Sequence, residues 1–94
     1  MPVMHFHVRW PDQSETRCYS PSLVVREHLT VGVHYPLDDF LQRTRTALNI
    51  ASERVREKYG FACSQAMDQL AEIEALALRH RTQADASVLV AAFD

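Results

Sequence analysis

The sequence predicts an α+β domain. A β-hairpin and a C-terminal strand form a small antiparallel sheet, and an antiparallel pair of long helices covers it, in the order ββ(α)ααβ. Three observations carry this prediction. Residues 3–10 (VMHFHVRW) alternate between two faces; residues 36–59 place apolar side chains at helical spacing between Pro36 and Gly60; residues 64–80 repeat that spacing after a short connection. With 94 residues the chain makes one domain, divided as hairpin (1–20), short helix or extended connection (21–35), helical hairpin (36–81), and loop with final strand (82–94).

In the first strand Met4, Phe6, Val8 and Trp10 point one way, and Val3, His5, His7 and Arg9 the other. The first set is expected in the core. Pro11-Asp12-Gln13-Ser14 has turn chemistry, and Glu15 to Tyr19 returns as the second strand. Ser20 can cap a short helix with Pro21 at its first position, running from Leu23 to Leu29, while Val24, Val25, Val31 and Val33 favour extended backbone. Both readings stay open for this segment. Val33-His34-Tyr35 precedes a proline and is expected to be extended.

The first long helix organises the chain. Pro36 suits its first turn, and Gly60 suits the left-handed position past its end. Asp38 and Asp39 near the start, and Arg54, Arg56 and Lys58 near the end, complement the helix dipole. Leu37, Phe40, Leu41, Thr44, Ala47, Leu48, Ala51, Val55 and Tyr59 form one stripe. Ser64 can cap the second helix, which runs to about His80 with Ala66, Leu70, Ile73 and Ala77 against its neighbour. Ser87 to Phe93 reads as the last strand, pairing most simply with the first.

Net charge is −2, so no broad basic field serves nucleic acid or an anionic membrane. No charged segment followed by an apolar run opens the sequence, and no apolar stretch reaches membrane-spanning length. Cys18 and Cys63 form no CxxC and read as reduced thiols, which points to the cytoplasm.

Two groups of residues invite a functional reading. His5 and His7 share a strand face, and Cys18 or His34 could add a third ligand for a divalent metal; the alternative is two exposed histidines on a wet sheet face. Ile50 projects off the helical stripe between Arg43 and Arg54, either as a single exposed isoleucine or as the centre of a partner-binding face. Met67, Ala71 and Leu78 make a second apolar strip on the second helix. Two apolar sides on one helix need two covers, so a homodimer is expected. Cys63 near a helix start could be drawn as a nucleophile with His34 or His80, but nothing places a base beside it. No catalytic residue and no required cofactor is assigned.

Several segments together resemble one bacterial family. They are MHFHVRWPD, CYSPSLVV, Gly32-x-x-Tyr35-Pro36-Leu37-x-x-Phe40 and TALNIASERVREKYGFACSQAMDQL. The family is that of small nitrogen-starvation-response proteins encoded beside a nitrilase, a radical-SAM enzyme, an acetyltransferase and a flavoprotein. The resemblance runs from residue 1 to about residue 75, with ALNIASERVREKYGFACS its most distinctive part, and nothing after Arg81 contributes. Gln13 stands where that family's turn is expected to carry glycine. The resemblance implies a cytoplasmic role in nitrogen scavenging, in nitrile or cyanide assimilation, and no established activity. Two functions follow as expectations: a non-catalytic accessory protein binding an enzyme of that gene cluster, or a small-molecule- or metal-binding module using the His5/His7 face.

Overall fold

A computed structural model describes residues 3–83 and 86–94. β1 (Met4–Arg9) and β2 (Glu15–Ser20) form the expected antiparallel hairpin. Its loop is a tight turn in which the Gln13 N–H donates to the Trp10 carbonyl at 2.9 Å and the Asp12 carboxylate accepts from the Ser14 N–H at 3.0 Å. Gln13 takes φ of 73°, the left-handed conformation that glycine adopts without strain. This is the geometry of a three-residue hairpin loop with its left-handed residue last. The glycine expected at this position therefore has a physical reason.

The segment after β2 is a 3-10 helix, Leu23–Glu27. Its cap is Ser22, whose Oγ accepts from the Val24 N–H at 3.3 Å, and not Ser20 as the sequence suggested. Ser20 ends β2 in the interior, and its hydroxyl donates to the Ser22 carbonyl at 2.7 Å, fixing the corner. Val24 and Val25 are buried from this short helix, where their stiff side chains face no long helical run.

β3 (His34–Pro36) is a fourth strand that alternation did not reveal, because three residues hold too little of it. It pairs antiparallel with β4 (Ser87–Phe93), which pairs with β1, giving the order β2-β1-β4-β3. The first and last strands are neighbours, as expected. Between Val90 and Ala92 the last strand carries an extra residue, Ala91, so that Val8 faces Val90 while His7 faces Ala92.

α1 (Leu37–Tyr59) and α2 (Ser64–Leu78) cover one side of this sheet. Pro36 is the cap of α1 and the last residue of β3, one position before the helical turn predicted for it. Gly60 ends α1 with φ of 86°, its N–H donating to the Arg56 carbonyl at 2.8 Å. Cys63, rather than Ser64, occupies the cap of α2, and the Cys63 N–H donates to Ser52 Oγ at 3.3 Å, tying the two helices at their turn.

The core lies between sheet and helices. Phe6, Val8, Trp10, Phe40, Leu48, Ile73, Val88 and Val90 are all essentially inaccessible, and Trp10 meets Phe40 edge-on at 5.8 Å. Burial on α1 stops at Ser52; none of residues 53–65 is buried, and Tyr59 and Phe61 are 52% and 68% exposed. Tyr59 was expected on the buried stripe. It lies off the core because α1, ~34 Å long at 1.5 Å per residue, outruns the sheet. On the free edge of β2, the Tyr19 N–H donates to Gln69 Oε1 of α2 at 2.9 Å.

Candidate functional site

The helices cover one face of the sheet, so the other face carries every outward residue of four strands. Register sets most of these in three rows, with Ser87 and Pro36 beyond them at one end. Glu15, Arg9, Leu89 and His34 form one; Arg17, His7 and Ala92 the next; Tyr19, His5 and Asp94 the third, with Asp94 held to His5 by two backbone hydrogen bonds of 2.8 Å.

The chemistry of this face gathers around Asp94. Its Oδ2 lies 3.0 Å from His7 Nε2, and its Oδ1 lies 3.9 Å from His5 Nδ1 and 3.7 Å from the Arg17 guanidinium. The hydrogen bond with His7 holds the Asp94 carboxyl below its ordinary range, with further help from the charges of Arg17, His7 and His5. His5 also meets Tyr19 edge-on at 5.8 Å, and Arg9 donates to Glu15 at 2.9 Å.

Of the predicted metal ligands, His5 and His7 do share this face, each with its side chain 28% exposed. Cys18 does not. It faces Phe6 across the hairpin and is fully buried, because β2 turns Arg17 and Tyr19 outward and Cys18 inward. Burial pushes its thiol up to about 12, so it is a packed apolar group and no thiolate. His34 is outward but stands in the row of Leu89 and Arg9, at the sheet's far edge. Among the described residues no three His, Cys, Asp or Glu side chains are gathered for a metal ion. Asp94, which sequence reading passed over, is the group that joins the two histidines. Alternation counted from Val88 and Val90 would turn it inward; the extra residue Ala91 reverses the phase and turns it out.

The predicted partner residues divide between two flanks of α1. Arg43 donates to Asp39 at 2.9 Å and to the His28 carbonyl at 3.3 Å, and its guanidinium lies 5.1 Å from the Tyr35 ring centre. Arg54 donates to Ser22 Oγ at 3.3 Å. Both therefore fasten the 3-10 segment to α1, and Ile50, between them on the same flank, is half-buried. The other flank faces α2, where Arg45 pairs with Glu74 at 3.6 Å. Beside that pair a groove of about 480 Å³ opens between the helices, with Leu41, Ala77 and Leu78 as its apolar lining and Asp38 and Arg81 at its margin. Leu78 is 61% exposed there, while Met67, further along α2, is half-buried.

Cys63 is half-buried at the start of α2, and His80 lies past the other end, buried and stacked on Trp10 at 5.9 Å. A helix of this length holds them ~20 Å apart, so they form no dyad. Within the described residues no helix is long and apolar enough to cross a membrane. A family model described as "Nitrogen starvation-induced protein NitG" matches residues 5–93. No curated protein and no solved structure matches the chain.

Proposed function

The chain belongs to the NitG family of nitrogen starvation-induced proteins, and on that premise we propose that it is a non-catalytic accessory protein that binds an enzyme of nitrogen scavenging. That enzyme belongs to the nitrilase gene cluster and to nitrile or cyanide assimilation, and the encounter takes place in the cytoplasm. The observation that supports the reading is the interhelical groove. It sets a large exposed apolar side chain, Leu78, beside buried Leu41 and Ala77, with the Arg45–Glu74 pair, Asp38 and Arg81 around them. An apolar anchor inside a charged rim is the anatomy of a protein-binding surface. Both cysteines are free thiols, in keeping with a reducing compartment.

The test is affinity capture from nitrogen-starved cells with identification of the bound protein. The wild-type chain is expected to retain a nitrilase-cluster enzyme, and Leu78→Asp to lose it, with Ile50→Asp testing the opposite flank. Capture of no such enzyme removes the reading.

A second reading is favoured by one specific feature, the Asp94 carboxylate between His5 and His7. Two imidazoles and a carboxylate are the donor types that a borderline divalent metal or a small polar ligand takes, although the three are not gathered here as the ligands of one ion. The Arg17 guanidinium beside the same carboxylate opposes a cation and favours the accessory reading. Elemental analysis of purified protein, with thermal shifts in zinc, cobalt and nickel and a His5→Ala/His7→Ala control, decides it. A metal-free sample with no shift ends this alternative.

A further inference from the structure

The uncovered face of the sheet is self-complementary, and we infer that it docks a second copy of this chain. The inference is independent of the groove and of whatever occupies it. The face has two unlike halves. On the β2–β1 side stand long polar side chains, Glu15, Arg9, Arg17 and His7; on the β4 side stand Leu89 and Ala92, shorter and apolar. A two-fold axis lying in the face between β1 and β4, parallel to the strands, lays each half on the other.

Register then fixes the meetings. Arg9 reaches across Leu89 of the second copy, and His7 settles over its Ala92. Glu15 meets the second copy's His34, and His5 meets its Asp94. Long side chains fall on short ones, and acids fall on histidines. Within one chain Asp94 already lies 3.9 Å from His5, so the two copies close a ring in which carboxylate and imidazole alternate. Sheets that stack face to face keep their strands within about 30° of each other, which preserves this pairing.

Edge pairing is a poorer route to the same dimer. The outward N–H of Tyr19 on β2 is occupied by Gln69, and the opposite edge is a three-residue strand ending in Pro36. The face measures roughly 20 Å on each side, about 800 Å² over two copies, which is below the range of stable interfaces and within that of weak, transient ones. Association is therefore reversible and concentration-dependent.

Analytical ultracentrifugation of the full chain from low to high micromolar concentration tests the assignment, with far-UV circular dichroism confirming the fold of each variant. Wild type is expected to move from monomer to dimer. Ala92→Arg and Leu89→Glu, both on the open face, are expected to raise the dissociation constant at least about tenfold through steric and charge conflict. Glu15→Lys weakens the dimer, and adding His34→Glu restores it, since the swapped charges meet only between copies. Leu78→Asp, on the helical side, leaves the dimer unchanged while it abolishes the groove's own binding. A wild type that stays monomeric overturns the inference. So does a dimer indifferent to the folded Ala92→Arg and Leu89→Glu variants, or one dissolved by Leu78→Asp.

Discussion

The two halves of α1 share one amphipathic pattern and have different fates. From Leu37 to Ser52 the stripe is buried against the sheet; from Glu53 to Tyr59 the same stripe continues with Val55 half-buried and Tyr59 exposed. Spacing tells a helix which side to present, but burial needs something beneath it. The second half is instead held by local means. Glu53 pairs with Arg56 at 3.1 Å, Arg56 and Lys58 complement the dipole, Gly60 closes the last turn, and the Cys63–Ser52 hydrogen bond anchors the return.

The contrast makes graded predictions. Phe40→Ala, in the first half, removes a fully buried ring from its contact with Trp10 and is expected to cost about 3–5 kcal/mol, read by chemical denaturation. A cost near that of a surface substitution would show that the first half is no better anchored than the second. Gly60→Ala forces a side chain into φ of 86° and is expected to cost about 1 kcal/mol. Because the cap serves the overhang, amide exchange should quicken from residue 53 onward before it changes in the buried half.

Acid sharpens the comparison from the sheet side. The folded-state pKa of Asp94 is lowered from 3.8, first by the hydrogen bond with His7, so its contribution is fully present above about pH 4 and is lost as pH falls through the lowered value. Melting curves of wild type and Asp94→Asn should therefore differ above about pH 4 and converge below it. Amide exchange in the overhang should not follow that convergence. Tyr59→Ala is expected to change stability by no more than about 0.5 kcal/mol, since the residue is 52% exposed at the end of the overhang, with Lys58 Nζ 5.6 Å from its ring centre. A loss of several times that would mean that the exposed tip is covered in solution.

Much of this architecture is legible in residue types alone. Alternation in Met4–Arg9, the bounds set by Pro36 and Gly60, and the buried positions Ala66, Leu70, Ile73 and Ala77 follow from periods of 2 and 3.6. What escaped has local causes. β3 is too short to show a period, Ser20 and Ser22 are equally good caps until one is claimed by a strand, and Cys18 belongs to a strand of weak alternation. The histidine pair was visible on paper, whereas its partner Asp94 was hidden by the irregular register beside Ala91. The separation of Ile50 from Leu78 was hidden too, because spacing along a helix does not say which neighbour lies on which flank.

That irregular register at Ala91 also decides what kinds of change the last strand can absorb. Replacing Ala91 by another residue leaves the count of positions intact. Deleting it closes the ladder into a regular one in which Ala92 still faces His7 and Phe93 still faces Phe6, whereas adding a further residue beside it takes Phe93 into water and drives the Asp94 carboxylate toward Met4 and Phe6. In this strand lengthening is a stricter prohibition than shortening at Ala91, and an insertion here strikes the core and the open face together.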